Sequence, residues 1–506
     1  MNDRVTPSAT SAPVREMLRI ADEPTELSVL RFRFEEALAE LYEGKIEAAF
    51  PLDTWLVEDD LLARDVTLTV ERGSSRRHFR GLVRHASVET TQHHQVLHIE
   101  MVPALWLATE TLDSRIFQAK SVPEIVKSVY EDLFAARQRT IRNDLTESYP
   151  DHEYVVQHRE SHFEFLSRIM SEEGIFFFFE QDDDDSEHEL LVLADSTTGS
   201  RLACPEHGGV LHYDALEERR RDADIVYSVR RDARVGATDA TARSFDWTSP
   251  DLSVHSSRSD RGPWQGPNLE VYDHEGSVRH HGYDDGDAAY RAHTADRHSR
   301  HRVERLDLAR ARMVLESTAV AVQPGCLLEL RGSGAGDRKY LVVAQTTHGV
   351  ADESGGELRT SLRVIPSDQP YRPPLRRRRL MHGPETATVV GPEGEEIHTD
   401  RHGRIKVQFH WDREGARNER SSAWIRVTQG WAGAGWGMLF IPRIGMEVLV
   451  SFLGGDPDRP LVTGCLYNGN NTPPYQLPAE KTKSTIKSNS TIGGGGFNEF
   501  RFEEKK

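Results

Sequence analysis

Cysteine is scarce: the 506 residues contain three, Cys204, Cys326 and Cys465, standing far apart. No CxxC or Cys/His ligand spacing occurs, and an odd, scattered set does not define a disulfide framework, so a reducing compartment fits. The N-terminal stretch MNDRVTPSATSAPVREML lacks an apolar h-region and a small-residue cleavage site, and no Sec signal is expected. No run approaches the ~20 apolar residues of a membrane-spanning helix. Positive charge is in deficit, 63 Lys+Arg against 81 Asp+Glu, for a net charge of −18. That balance argues against a protein whose main work is neutralising phosphates, and no specific nucleic-acid partner is expected. Catalytic signatures are missing too: there is no GxSxG, no GxxxxGK[ST] and no HExxH. The expected sets of catalytic, cofactor-binding and metal-ligating residues are all empty.

What is present reads as a multidomain chain with cores of its own, 37% hydrophobic and 28% charged. The first hundred residues are mostly strands of period two, DVTLTVERG and HFRGLVRHASVE, with Gly73 and Ser74 as a hairpin turn between them. This predicts an antiparallel sheet curled into a small barrel. KSVPEIVKSVYEDLF then places Val122, Ile125, Val126, Val129, Tyr130, Leu133 and Phe134 on one helical face, with Ser121 and Glu124 at capping-box spacing. A second helix opens at Ser161 with Glu164 three residues on, and Gly174 supplies a stop. Phe176 to Phe179 suit a strand covered on both faces, paired with LLVLAD across the charged tip EQDDDDSEHE. From about 210 to 365 strands return, with a helical insertion rich in charge around 287–313. The stretch SDQPYRPPLRRRRLMHGPET is a linker. About five short strands follow between 385 and 475, led by the alternation of Ile405, Val407, Phe409 and Trp411. They predict an OB-like barrel. The tail ends in one alternating strand carrying Phe500 and Phe502, which cannot bury that face alone.

Several clusters invite chemistry. The Gly-rich RGSGAGD lacks the P-loop lysine and reads as a hairpin turn. His158 and His162 lose a shared helical face because Ser161 caps between them, and with His152 they show no zinc spacing. His93/His94 and His280/His281 read as solvated loop or strand residues, and His293, His298 and His301 as the polar face of a charged helix. Asp182 to Asp185 lack an EF-hand pattern. Trp411, Trp424, Trp431 and Trp436, with Lys406 and Arg426, would suit single-stranded nucleic acid on an OB barrel. Tryptophans on glycine-rich turns more often pack a core or an interface.

The run GPEGEEIHTDRHGRIKVQFHWDREG, then SSAWIRVTQGWAGAGWGMLFIPRIGMEVLVSFLGGDPDRPLVTGCLYN, closely resembles the VgrG family, the spike proteins of type VI secretion systems. LDSRIFQAKSVPEIVKSVY and YVVQHRESHFEFLSRIMSEEGIFFFFE look like the family's ring region, and YQLPAEKTKSTIKSNSTIGGGGFNEFRFEEKK like the start of its needle. The resemblance is weakest over the first thirty residues and around 235–285. It implies a mainly β chain with an α+β insert. The first hub barrel would span 1–110, a mixed outer domain 111–210 and a second hub barrel with its helical insertion 211–366. A linker, 367–384, would lead to an OB-like barrel at 385–475, and 476–506 would begin a triple-stranded β-helix.

The implied assembly is a homotrimer whose six barrels match the hexameric Hcp tube, with baseplate components as further partners and transient membrane penetration as its work. It would be made in the cytoplasm and then injected by the apparatus. A phage-tail hub is the alternative within that class; a cell-wall hydrolase or a nucleic-acid-binding OB module are disfavoured alternatives outside it. The related phage hub carries a lysozyme domain between barrel and needle, where about two dozen mostly polar residues stand here, too few for a domain. The sequence ends at Lys506, where the family continues into a long needle, so a PAAR tip protein and effectors are expected only if a full needle exists. Candidate assembly residues are Trp424, Trp431, Trp436, Phe500 and Phe502. Because three chains of −18 each repel one another, Arg376, Arg377, Arg378 and Arg379 are expected to bridge acidic surfaces of adjacent subunits.

Overall fold

The computed structural model describes residues 14–25, 27–181, 188–197, 209–215, 224–245, 247, 250–251, 254–259, 265–274, 292–333, 338–351, 356–492 and 494–506. Cys204, Asp182 to Asp185, His280, His281 and residues 334–337 of the Gly-rich turn lie outside them, as does the side chain of His293.

The N-terminal strands lie side by side in the order Val14–Ile20, Asp65–Arg72, Ser75–Thr90, Gln95–Val102, Glu43–Phe50, Ser28–Ala37. Alternation drives them: Val66, Leu68 and Val70 point into a core shared with Phe32, Phe34, Ile46 and Phe79. Gly73, at φ 61°, makes the two-residue turn that sets Arg72 opposite Ser75. Ser28–Ala37 then pairs with Arg338–Val350, and the order runs on through Leu327–Arg331, Val210–Tyr213, Ile225–Ala233, Ala311–Ser317 and Glu357–Pro366. Glu357–Pro366 pairs back onto Arg338–Val350 and closes a six-stranded barrel. The two hub regions are therefore one 12-stranded sheet, fused through a single strand. Residues 338–341 of that strand ladder with Leu327–Leu330, and 344–350 with Arg31–Ala37. A strand of 13 residues is long enough to serve both.

The outer region packs two amphipathic helices, Val122–Phe134 and His162–Glu173, on a small sheet in which Phe176–Glu180 pairs antiparallel with Leu190–Ala194. Both capping boxes form, Ser121 with Glu124 and Ser161 with Glu164, and Gly174 closes the second helix in the left-handed region at φ 78°. Phe176 to Phe179 are all buried.

Helix Ala292–Arg310 rests on a three-stranded sheet of Asp239–Ser244, Val254–Ser259 and Glu270–His274. Here one expectation fails. His298 and His301 do not form a solvated face; both are buried, His301 to 1% exposure. The helix is wedged between that sheet and the C-terminal end of His162–Glu173. Ser256 Oγ donates to Asp296 at 2.6 Å on one side, and Arg297 pairs with Glu173 at 3.3 Å on the other. A polar pattern on the helix conceals a polar interface.

After the linker, five strands form a sheet in the order Lys406–Phe409, Glu385–Val390, Glu447–Phe452, Pro460–Leu466, Arg426–Val427. Reciprocal backbone bonds between Ile405 and Ile425, 3.0 and 2.8 Å, close it into a barrel around Ile405, Val407, Phe409, Val448, Val450 and Val462. The tail corrects the expectation of a lone strand. Glu499–Glu503 pairs with Lys483–Lys487 as a hairpin that sets Phe500 opposite Ile486. Lys483–Lys487 was unreadable as a strand because KSTIK offers one large apolar residue.

Candidate assembly surfaces

The OB barrel is seated on the outer region by charge. Arg378 donates to Asp458 at 2.9 Å and to both oxygens of Glu172 at 3.0 Å, and it also pairs with Asp456. Burial opposes the charge of its guanidinium, but the three carboxylates outweigh this and hold its pKa well above the ordinary value. Asp458 in turn accepts the Val156 backbone N–H at 2.7 Å, so one carboxylate ties linker, barrel and outer strand together. Arg376 meets Glu40 at 2.6 Å and Arg379 meets Glu164 at 3.2 Å. Arg376, Arg378 and Arg379 thus each pair with carboxylates of their own chain. The pairings follow from position, since the linker must cross the acidic face carrying Glu40, Glu164 and Glu172 to reach the barrel. Arg377 is exposed, without an ion pair among the described residues.

Further contacts complete the seat. Arg413 pairs with Asp113 at 2.6 Å, and the Gln118 side chain donates to the Arg420 carbonyl at 2.8 Å. Tyr154, Val156 and Ala423 share a small apolar cluster with Ile116 and Trp411. Trp247, from the segment beside the three-stranded sheet, lies against the barrel's Arg426 and Arg404, 4.8 and 5.4 Å from their guanidinium carbons. Sequence reading passed over Trp247 because it sits outside any periodic stretch. It passed over Asp458 because GGDPDRP reads only as a turn. Trp424 is half-buried on the barrel, its ring tilted against His398 at 4.7 Å and under the Lys406 ammonium at 5.0 Å. His158 and His162 are buried structural residues: His158 faces Trp411, and His162 Nδ1 accepts from Gln157 at 3.1 Å. Among the described residues no cluster is arranged to hold a metal ion, and no helix is long and apolar enough to cross a membrane.

Trp431 and Trp436 are placed differently. They flank a short hairpin, Ala432–Gly433 with Trp436–Gly437, and meet edge to face at 5.0 Å. Glycine is required here: at Gly437 φ is +138°, and a Cβ would lie 2.4 Å from the Trp431 carbonyl. The arm does not fold back on the barrel. Trp431 is 60% and Trp436 58% exposed, and Met438, Leu439 and Phe440 continue the apolar surface. Arg443 links the arm's base to the tail through the Asn489 carbonyl at 2.7 Å. There Ile486, Ile492, Phe497, Phe500 and Phe502 are all exposed, and the rings of the last two meet edge to face at 4.9 Å.

A closed barrel fused to a curled sheet, carrying an OB barrel and a short hairpin, is the hub class of contractile injection machines. The phage tail baseplate hub family matches residues 35–353, and the type VI secretion system/phage-baseplate injector OB domain matches 387–467. The E. coli c3393 protein, a type VI secretion component with structural similarity to T4 tail proteins gp27 and gp5, has a similar fold. Its TM-score is 0.63 at 20% identity, over 89% of this chain and 99% of that one. Two Pseudomonas aeruginosa type VI spike proteins are closer in sequence. VgrG1b is 38% identical over 88% of this chain and 60% of its own length. VgrG1a is 36% identical over 88% of this chain and 69% of its own. The chain belongs to the VgrG family of type VI secretion spike proteins, and it spans about 60–70% of these relatives' lengths.

Proposed function

We propose that this chain is a subunit of a trimeric type VI spike that sits on the Hcp tube, contacts baseplate components and is driven through a target membrane to deliver effectors. Its contribution is mechanical, without catalysis of its own. It assembles in the cytoplasm and leaves by injection. The division at 1–110, 111–210, 211–366, 367–384, 385–475 and 476–506 remains our working description of its parts.

The observation that carries this reading is the uncovered apolar surface of the arm and tail, Trp431, Trp436, Phe440, Phe500 and Phe502. A monomer leaves it in water; three intertwined copies bury it. Trp424, beneath Lys406, serves the barrel wall next to that interface. In this reading Arg376, Arg377, Arg378 and Arg379 also face acidic surfaces of adjacent subunits, and Arg377 is exposed without an ion pair among the described residues. The test is the native mass of the purified chain, with Trp431→Ala/Trp436→Ala alongside. The trimer is expected for the parent, and a loss of trimer at micromolar concentration for the variant.

A further inference from the structure

We propose that the loop between Glu43–Phe50 and Asp65–Arg72 is a docking knob for a protein ring stacked on the hub, one whose apposed face offers an apolar socket rimmed by Lys and Arg. The proposal rests on the spike reading above, in which that ring is the Hcp tube.

Trp55 is 85% exposed, the most exposed of the large apolar side chains among the described residues, and Leu52, Val57 and Leu62 around it are exposed as well. The loop presenting it is fixed. Leu56 and Leu61 are buried in the core of the first six strands. The Gln95 amide donates to the Pro51 and Thr54 carbonyls at 3.2 and 2.8 Å. A tryptophan held out in water on an anchored loop carries little ordering cost on docking, and tryptophan is enriched among hot-spot residues. Asp53, Glu58, Asp59 and Asp60 surround it, and none has an ion pair among the described residues. Four unneutralised carboxylates around an apolar tip select a basic socket and repel another acidic surface.

Register decides where the knob points. Ser28 pairs with Ala49 and Phe50 with Gln95, so the loop leaves the curled sheet at the Ser28 end of strand Ser28–Ala37. The opposite end of that strand leads to Glu40, which holds Arg376 of the linker on the way to the OB barrel. Trp55 therefore stands on the end turned away from the spike.

The test measures binding of the full chain to purified Hcp hexamers from the same apparatus, at low and high salt. Trp55→Ala is expected to weaken binding at least ~10-fold. The combined variant Asp53→Asn, Glu58→Gln, Asp59→Asn, Asp60→Asn is expected to weaken it at low salt and to flatten its salt dependence. Both should keep the parent's native mass and thermal unfolding, since all the altered side chains lie at the surface. Parent-like Hcp binding by both variants overturns the knob and leaves the spike reading standing. Absence of Hcp binding by the parent chain overturns both. A lowered native mass in either variant overturns the proposal by placing the loop between copies of this chain.

Discussion

The seat of the OB barrel and the arm that projects from it are neighbours in sequence and opposites in physics. In the seat, charges find partners within the chain: Arg378 with Glu172, Asp456 and Asp458, Arg404 with Asp400 at 2.8 Å. In the arm and tail, large apolar side chains are extended by glycine-dependent turns into solvent. Charges brought together inside one chain fix the angle between its parts, because a buried guanidinium among carboxylates tolerates little displacement. Apolar groups without cover leave a chain incomplete. The difference separates what one chain settles alone from what it requires of other copies.

The sharpest way to break the first half is Arg378→Ala. It leaves three carboxylates together in a largely buried site, and about 3–5 kcal/mol should be lost. The expected readout is early release of the OB barrel in limited proteolysis, with Arg377→Ala indistinguishable from the parent.

Acid is next. Burial is the main cause that pushes His298 down to about 4, with Arg297 and Arg305 assisting and Glu173 opposing. His298 is thus neutral when folded and binds its proton readily only when unfolded, near the ordinary ~6.5. Its contribution is fully present above pH 6.5 and is lost as pH falls toward 4, about 3 kcal/mol at the limit. Urea midpoints should fall between pH 7 and pH 4.5, and His298→Asn should flatten that slope.

Trp431→Ala should leave the unfolding of a dilute monomer within about 0.5 kcal/mol of the parent, because its ring is largely in water already. The same change should lower the concentration-dependent stability of the trimer. Arg379→Ala removes an exposed pair with Glu164 and should cost no more than about 1 kcal/mol by thermal unfolding.

How much of this was legible depended on distance along the chain. The capping boxes at Ser121 and Ser161, the Gly73 turn and the alternation of Ile405, Val407 and Phe409 are local, and the structure has each where its pattern points. The strand Arg338–Val350 was legible as a strand, but its service to two hub regions depends on partners about 300 residues away. Helix Ala292–Arg310 was legible as a helix. The burial of His298 and His301 was not, because the surfaces that cover them come from other elements with polar patterns of their own. The arginine run was noticed for its charge, and its partners Glu40, Glu164, Glu172, Asp456 and Asp458 were hidden by separations of about 80 to 340 residues. Trp431 and Trp436 were legible as glycine-flanked tryptophans, but their exposure was not, because it depends on the arm standing off the barrel.

The central claim is that the uncovered arm and tail are interior surface of a three-chain assembly. Native mass spectrometry of the 506-residue chain at micromolar concentration tests it most directly. The account predicts one dominant species at three times 57.2 kDa. A persistent monomer with the arm's tryptophans still solvent-quenched in fluorescence would contradict it.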